Sequence, residues 1–166
     1  MNSARKKIIY RFTILLLIAG VIFYSSSQPY TEQNIQPLLG DKLNLPDSIE
    51  ALLSKINFTY AGVEVSVEAL GLPGFIEFFI RKGAHFGVYF VMAFVMASIV
   101  RMWVQRKAKI TAITIGIVFI YACLDEWHQS FTGGRTPLFH DVIIDTIGGL
   151  TGIALYFLAR EYRKQQ

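Results

Sequence analysis

The sequence predicts an all-α membrane protein with four transmembrane helices, both termini cytoplasmic, and a small extracytoplasmic insert between the first two helices. Three observations predict it. Hydrophobic residues make up 53% of the 166-residue chain and charged residues only 17%, which is far more apolar than a soluble domain of this size. The apolar residues gather into four runs, placing helices at about 8–25, 83–104, 109–125 and 141–160, each able to cross a bilayer with interfacial help. Of 16 Lys and Arg residues, eleven fall in the amino terminus, the 101–109 loop and the carboxyl tail, whereas all acids but Glu161 fall on or near the other side. Four spans bring those three basic segments together, and the positive-inside rule makes their side cytoplasmic.

Each element follows from local chemistry. Arg5, Lys6, Lys7 and Arg11 precede an uncharged run from Phe12 to Tyr24, a start shared by signal peptides and first membrane helices. Nothing after Ser27 makes a small-x-small cleavage site, so a retained helix is expected. The insert, residues 26–80, is punctuated by Pro29, Pro37, Pro46 and Pro73. Within it, Asp47 or Ser48 is suited to cap a short amphipathic helix through Leu53. Val63, Val65 and Val67 alternate with Glu64, Ser66 and Glu68 after an Ala61-Gly62 turn, a pattern compatible with a small hairpin between Asn57 and Val67. Leu72-Pro73-Gly74 opens a long helix that first lies at the interface and then descends to Val100. The third run, Ile110 to Leu124, closes at Asp125-Glu126. A loop carrying Gly133-Gly134 and Pro137 follows, and the fourth run, Val142 to Ala159, has Asp145 inside it.

Some chemistries are excluded. The single Cys123 sits in an apolar run, leaving no disulfide framework or thiolate metal site. A sequence pI near 9.2 does not indicate nucleic acid, because the cations cluster beside hydrophobic segments without interleaved aromatics.

The polar residues that remain are concentrated. Arg81, His85 and Tyr89 stand at i, i+4 and i+8, with Lys82 three before His85, forming one stripe at the entrance of an apolar run. Asp125 and Gln129 share a helix face, as do Asp141 and Asp145. Asp145 lies about one turn inside its run, where an unpaired carboxylate costs several kcal/mol, so it should be neutral, paired or metal-bound. Gly148 and Gly152 give a small-xxx-small spacing that permits close packing, which would bring Asp145 towards His85. His128 and His140 read as interfacial, and Trp103 and Trp127 as aromatic belts at opposite interfaces.

The ordered set Arg81-Lys82-x-x-His85-Phe86-x-x-Tyr89, Asp125-Glu126-x-x-Gln129-x-Phe131, Arg135 and Asp141-Val142-x-x-Asp145-x-x-Gly148, with Phe23-Tyr24-Ser25-Ser26-Ser27-Gln28 closing the first helix, resembles the VanZ-like membrane protein family. The resemblance covers the first helix and residues 81 to about 155. It implies an association with resistance to teicoplanin and related lipoglycopeptides in Gram-positive bacteria, and it carries no assigned biochemical activity. Where the family often has Asn, this chain has Asp145, which adds a carboxylate.

Three readings fit these residues. In the first, Arg81, Lys82 and Arg135, with Tyr89, Gln129 and Asp145, bind an anionic lipid headgroup such as that of a polyprenyl-phosphate-linked precursor. His85, Asp125, Glu126 and Asp141 then act as acid and base or hold a divalent metal, Mg, Mn or Zn by ligand type, although no spacing here has the force of His-Glu-x-x-His. In the second, the protein is a non-catalytic binder of a lipoglycopeptide or wall precursor. In the third, Arg81 and Arg135 neutralise Asp125, Glu126 and Asp141 in a buried network that only holds the helices together.

Overall fold

The computed structural model describes residues 3–42 and 45–166. Four helices are long and apolar enough to cross a membrane: α1 (Ser3–Ser27), α5 (Val67–Val100), α6 (Lys107–Gln129) and α7 (Phe139–Gln165). Between α1 and α5 the insert contains the short helices α2 (Tyr30–Gln33), α3 (Gln36–Lys42) and α4 (Asp47–Leu53), then the strands β1 (Asn57–Tyr60) and β2 (Val63–Ser66). The strands pair antiparallel with Tyr60 opposite Val63. Ala61 and Gly62 both take positive φ in the two-residue turn between them, as such tight hairpins require.

α5 is two helices joined by a break. Ser66 caps the first, its hydroxyl accepting from the Ala69 N–H at 3.0 Å. Gly71, at φ 68° and ψ 160°, interrupts the helix, and Pro73 then enters the first turn of the second part, where its missing N–H costs nothing. Residues 72–100 would span roughly 43 Å at 1.5 Å per residue, more than the hydrocarbon thickness of about 30 Å. The helix is thus long enough to cross with length to spare, and its first part carries Glu77, Arg81 and Lys82.

The described helices run somewhat beyond the expected spans at most ends, and two ends and one cap differ for identifiable reasons. α6 does not close at Asp125-Glu126 but runs through Gln129, because the last-turn polar groups find partners in α1 and in the following loop. α5 stops at Val100 instead of near residue 104: the Ala97, Ile99 and Val100 carbonyls accept from the backbone N–H groups of residues 101–104 in a tightened turn, and the Arg101 guanidinium holds the following loop through the Val104 and Gln105 carbonyls. The Asp or Ser cap expected for α4 is not used. Pro46 occupies the cap position without a side-chain bond, and Asp47 and Glu50 lie in the first turn, where acids still complement the helix dipole.

The core is formed mainly by α5 and α7, with α6 packed on both. Buried Tyr89, Met92, Ala93 and Ala97 of α5 meet Val142 and Ile153 of α7 and Val118 and Ala122 of α6. α1 is the most peripheral span, with Leu16, Leu17, Val21, Phe23 and Tyr24 all exposed, as a lipid-facing surface should be. It is tied on by the Arg11 guanidinium donating to the Ser98 carbonyl at 2.9 Å and the Tyr121 hydroxyl donating to the Ala19 carbonyl at 2.9 Å.

The tightest contact is between α5 and α7. A Cβ at Gly148 would lie 2.4 Å from the Phe86 carbonyl oxygen, and one at Gly152 2.1 Å from that of Phe90. Only hydrogen fits at either place. Gly152→Val should therefore force the helices apart and lower stability by on the order of 3 kcal/mol, read as a lower thermal midpoint of the detergent-purified protein. Gly116→Ala, where a new Cβ meets nothing within 4 Å, should leave the midpoint unchanged or slightly raised.

Candidate functional site

The polar residues singled out by sequence converge at one end of the bundle, opposite the end where Lys107 pairs with Glu161 and Phe12 meets Trp103. They form two layers. The layer nearer the middle of the bundle holds carboxylates, and the layer beneath the insert holds cations.

Asp145 is the deepest member, with 0% of its surface exposed. The glycine contact described above places its Oδ1 3.3 Å from Nδ1 of His85. From α6, Asp125 accepts from the Ser26 hydroxyl at 2.6 Å and from the Gln129 side-chain amide at 3.0 Å. Glu126 accepts the Leu138 backbone N–H at 2.8 Å through Oε2, while its buried Oε1 has no hydrogen-bond partner among the described residues. One atom from each of His85, Asp125 and Glu126 lies within 4.8 Å of the other two. Tyr89, also fully buried, turns its hydroxyl into the same region without a hydrogen bond of normal length and angle.

The cationic layer is organised differently from the expected network. Lys82 pairs with Asp141 at 2.5 Å and lies over the Tyr60 ring at 4.8 Å. The Tyr60 hydroxyl donates to the same Asp141 oxygen at 2.5 Å, so the hairpin is fastened onto α7. Burial and that bond to Asp141 push the Tyr60 phenol well above its ordinary value, which keeps it a donor throughout the working pH range. Among the described residues Arg135 donates to neutral acceptors only: the Gln28 and Ser25 carbonyls and the side chains of Gln129 and Gln33. Burial and the like charge of Arg81 push its pKa down. Arg81 rests over the Tyr30 ring at 4.9 Å and, among the described residues, has no carboxylate partner. Neither arginine therefore neutralises Asp125, Glu126 or Asp141 by direct pairing.

Two cavities meet here. One, of about 200 Å³, lies between α1 and α5 and is lined by Val21, Ile22, Val88, Tyr89 and Asp125. The other, of about 470 Å³, lies under the insert and is lined by Tyr30, Tyr60, Glu77, Lys82 and Asp141. Arg81, His85 and Arg135 line both. His128 stacks on Phe23 and His140 leans on Tyr60, so neither joins the cluster of His85, Asp125 and Glu126. Trp103 and Trp127 are exposed at opposite ends of the bundle.

Sequence reasoning missed Glu77, Tyr30, Gln33 and Gln36. Glu77 is almost fully buried beneath the insert, accepting from the Tyr30 hydroxyl at 3.1 Å and the Gln36 amide at 2.7 Å. Burial and Glu77 raise the Tyr30 pKa. A lone acid in the Phe-rich stretch Phe75–Phe79, one turn before Arg81, was the available signal.

Lys82→Met should leave the Asp141 carboxylate with a single donor and lower the thermal midpoint by the equivalent of about 3 kcal/mol, whereas adding Asp141→Asn should restore more than half of the loss. Equal loss in the single and the double variant would show that the two side chains are not coupled.

A family model described as VanZ/LLP1 matches the chain over residues 12–160. No curated protein and no solved structure matches it.

Proposed function

From the chain's membership of the VanZ/LLP1 family, whose matched region takes in all four long helices and the polar site, we propose that this multi-pass membrane protein binds the anionic headgroup of a lipid-linked envelope component. The observation that carries the reading is that Arg81 and Arg135 face two shared cavities with no carboxylate partner among the described residues. Like charges are brought together at a cost unless an anion lies between them. Arg135 has five N–H donors, four of them taken by protein acceptors, whereas Arg81 has no hydrogen-bond acceptor among the described residues, so Arg81 carries most of the donor capacity left for a ligand. A guanidinium fork matches phosphate oxygens in pairs.

Shape supports an amphiphile. The larger cavity under the insert is polar enough for a phosphate and its attached group. The smaller one, with Val21, Ile22 and Val88 on its walls, leads between α1 and α5 and suits the first units of a hydrocarbon chain. The cation distribution of the sequence supports an extracytoplasmic position for this end, with both termini cytoplasmic, which would make the outer leaflet the source of ligand. Lys82, Tyr89 and Gln129 line or brace the pocket, and Asp141 holds Lys82 in place. The resembled family's association with teicoplanin resistance is compatible with a lipid-linked envelope component as ligand.

Binding is tested on the purified full chain with a short polyprenyl phosphate against the neutral polyprenol of the same length. The phosphate should raise the thermal midpoint and the alcohol should not, and Arg81→Ala should weaken the phosphate effect at least tenfold, about 1.4 kcal/mol. Equal stabilisation by both lipids, or stabilisation by teicoplanin alone, would sink the phosphate reading.

A further inference from the structure

We propose that His85, Asp125 and Glu126 form a divalent cation site beneath the arginines, a site that goes beyond headgroup binding and does not depend on it. The geometry comes first. Three ligand-type side chains from two helices present atoms within 4.8 Å of one another. Metal–ligand bonds of about 2.1 Å set neighbouring ligands roughly 3.0–3.5 Å apart, so small side-chain rotations close the set around an ion.

Charge makes the same case. Asp125, Glu126 and Asp145 are each at least nine-tenths buried, and no lysine or arginine among the described residues lies within ion-pair distance of them. One imidazole faces three carboxylates in a setting where an uncompensated charge is expensive. A divalent ion supplies the missing positive charge. One orphan outside the ligand set points to the same place: the hydroxyl of Tyr89, a fully buried residue that lines the cavity with His85 and Asp125 and makes no hydrogen bond among the described residues, while within the set Glu126 Oε1 is likewise buried and unpartnered there. A phenol there is placed to donate to a metal-bound water or anion.

Asp145 completes the arrangement without ligating. Its carboxylate lies 3.3 Å from His85 Nδ1, near enough to attract the ring, although among the described residues neither that nitrogen nor either carboxylate oxygen makes a hydrogen bond of normal geometry. A carboxylate behind a ligating histidine fixes the tautomer and ring orientation and strengthens the ligand. Asp145 is thus a positioning residue. Asp141 lies outside the set because Lys82 and Tyr60 hold it. One nitrogen and two carboxylates suit Mn²⁺ or Zn²⁺ better than the all-oxygen surroundings preferred by Mg²⁺ or Ca²⁺.

The test uses the metal-free full chain in detergent, with Mn²⁺ or Zn²⁺ as the only addition. One Mn²⁺ per chain should bind with a rise in thermal midpoint, and its electron spin echo should show modulation by a coordinated imidazole nitrogen. His85→Gln should abolish the modulation, and Asp125→Asn and Glu126→Gln should each weaken binding at least tenfold. The exposed-carboxylate control Glu50→Gln should change nothing. Arg81→Ala removes a nearby cation, so it should retain or tighten Mn²⁺ while losing the polyprenyl phosphate, which separates failure of this site from failure of the anion reading. Folded wild type that binds neither Mn²⁺ nor Zn²⁺, or that binds Mn²⁺ without nitrogen modulation, overturns the proposal even if every cluster variant fails to fold.

Discussion

The close approach of α5 and α7 is the constraint on which the polar end of this molecule depends. Two glycines one turn apart let the α7 backbone rest on the carbonyls of Phe86 and Phe90. Among apolar helices in lipid there is no hydrophobic drive for association, so intimate van der Waals contact must supply it. Asp145 stands three residues before Gly148, and His85 directly precedes Phe86. The packing that joins the helices therefore also delivers a carboxylate to an imidazole, and stability and chemistry share one contact.

From that contact the site grows outward in order of decreasing burial. Asp145 and His85 lie deepest, Asp125 and Glu126 flank them from α6, and Ser26 closes the set from α1 with its hydroxyl on Asp125. Above them Arg135 reaches from the α6–α7 loop to the Ser25 and Gln28 carbonyls at the end of α1. α1 buries little surface of its own, so these polar ties do for it what packing does for the other three helices. A ligand that competed for Arg135 would act on the seating of α1 as well.

Much of this was legible in the sequence because it is local. The Arg81–His85–Tyr89 stripe follows from helical period, the Gly148–Gly152 spacing from small-residue packing, and the start of a long helix at Leu72-Pro73-Gly74 from proline chemistry, although the break at Gly71 behind it was not foreseen. The partners were not legible, since pairing Arg135 with Gln33 or Glu77 with Tyr30 joins residues whose separation in the chain says nothing of their distance in space. The same limit explains α6. Read alone, Asp125-Glu126 resembles the end of an apolar run. Only with Ser26 and the Leu138 N–H alongside can the helix carry those acids through another turn.

The separation of cations and acids into two layers argues against a purely architectural network. A network selected for neutrality would set each guanidinium against a carboxylate, since a buried charge left without a partner costs more than a well-formed pair recovers. Here Lys82 alone follows that logic, with Asp141. The two arginines take neutral acceptors and an aromatic face, while three deep carboxylates share one histidine. Such an arrangement keeps unspent potential of both signs within one cavity system, positive where a phosphate would enter and negative beneath it. An anionic headgroup over a bound cation cancels both together, and neither alone cancels the whole. Occupancy of the two proposed subsites should therefore be linked, with each ligand raising the affinity of the other.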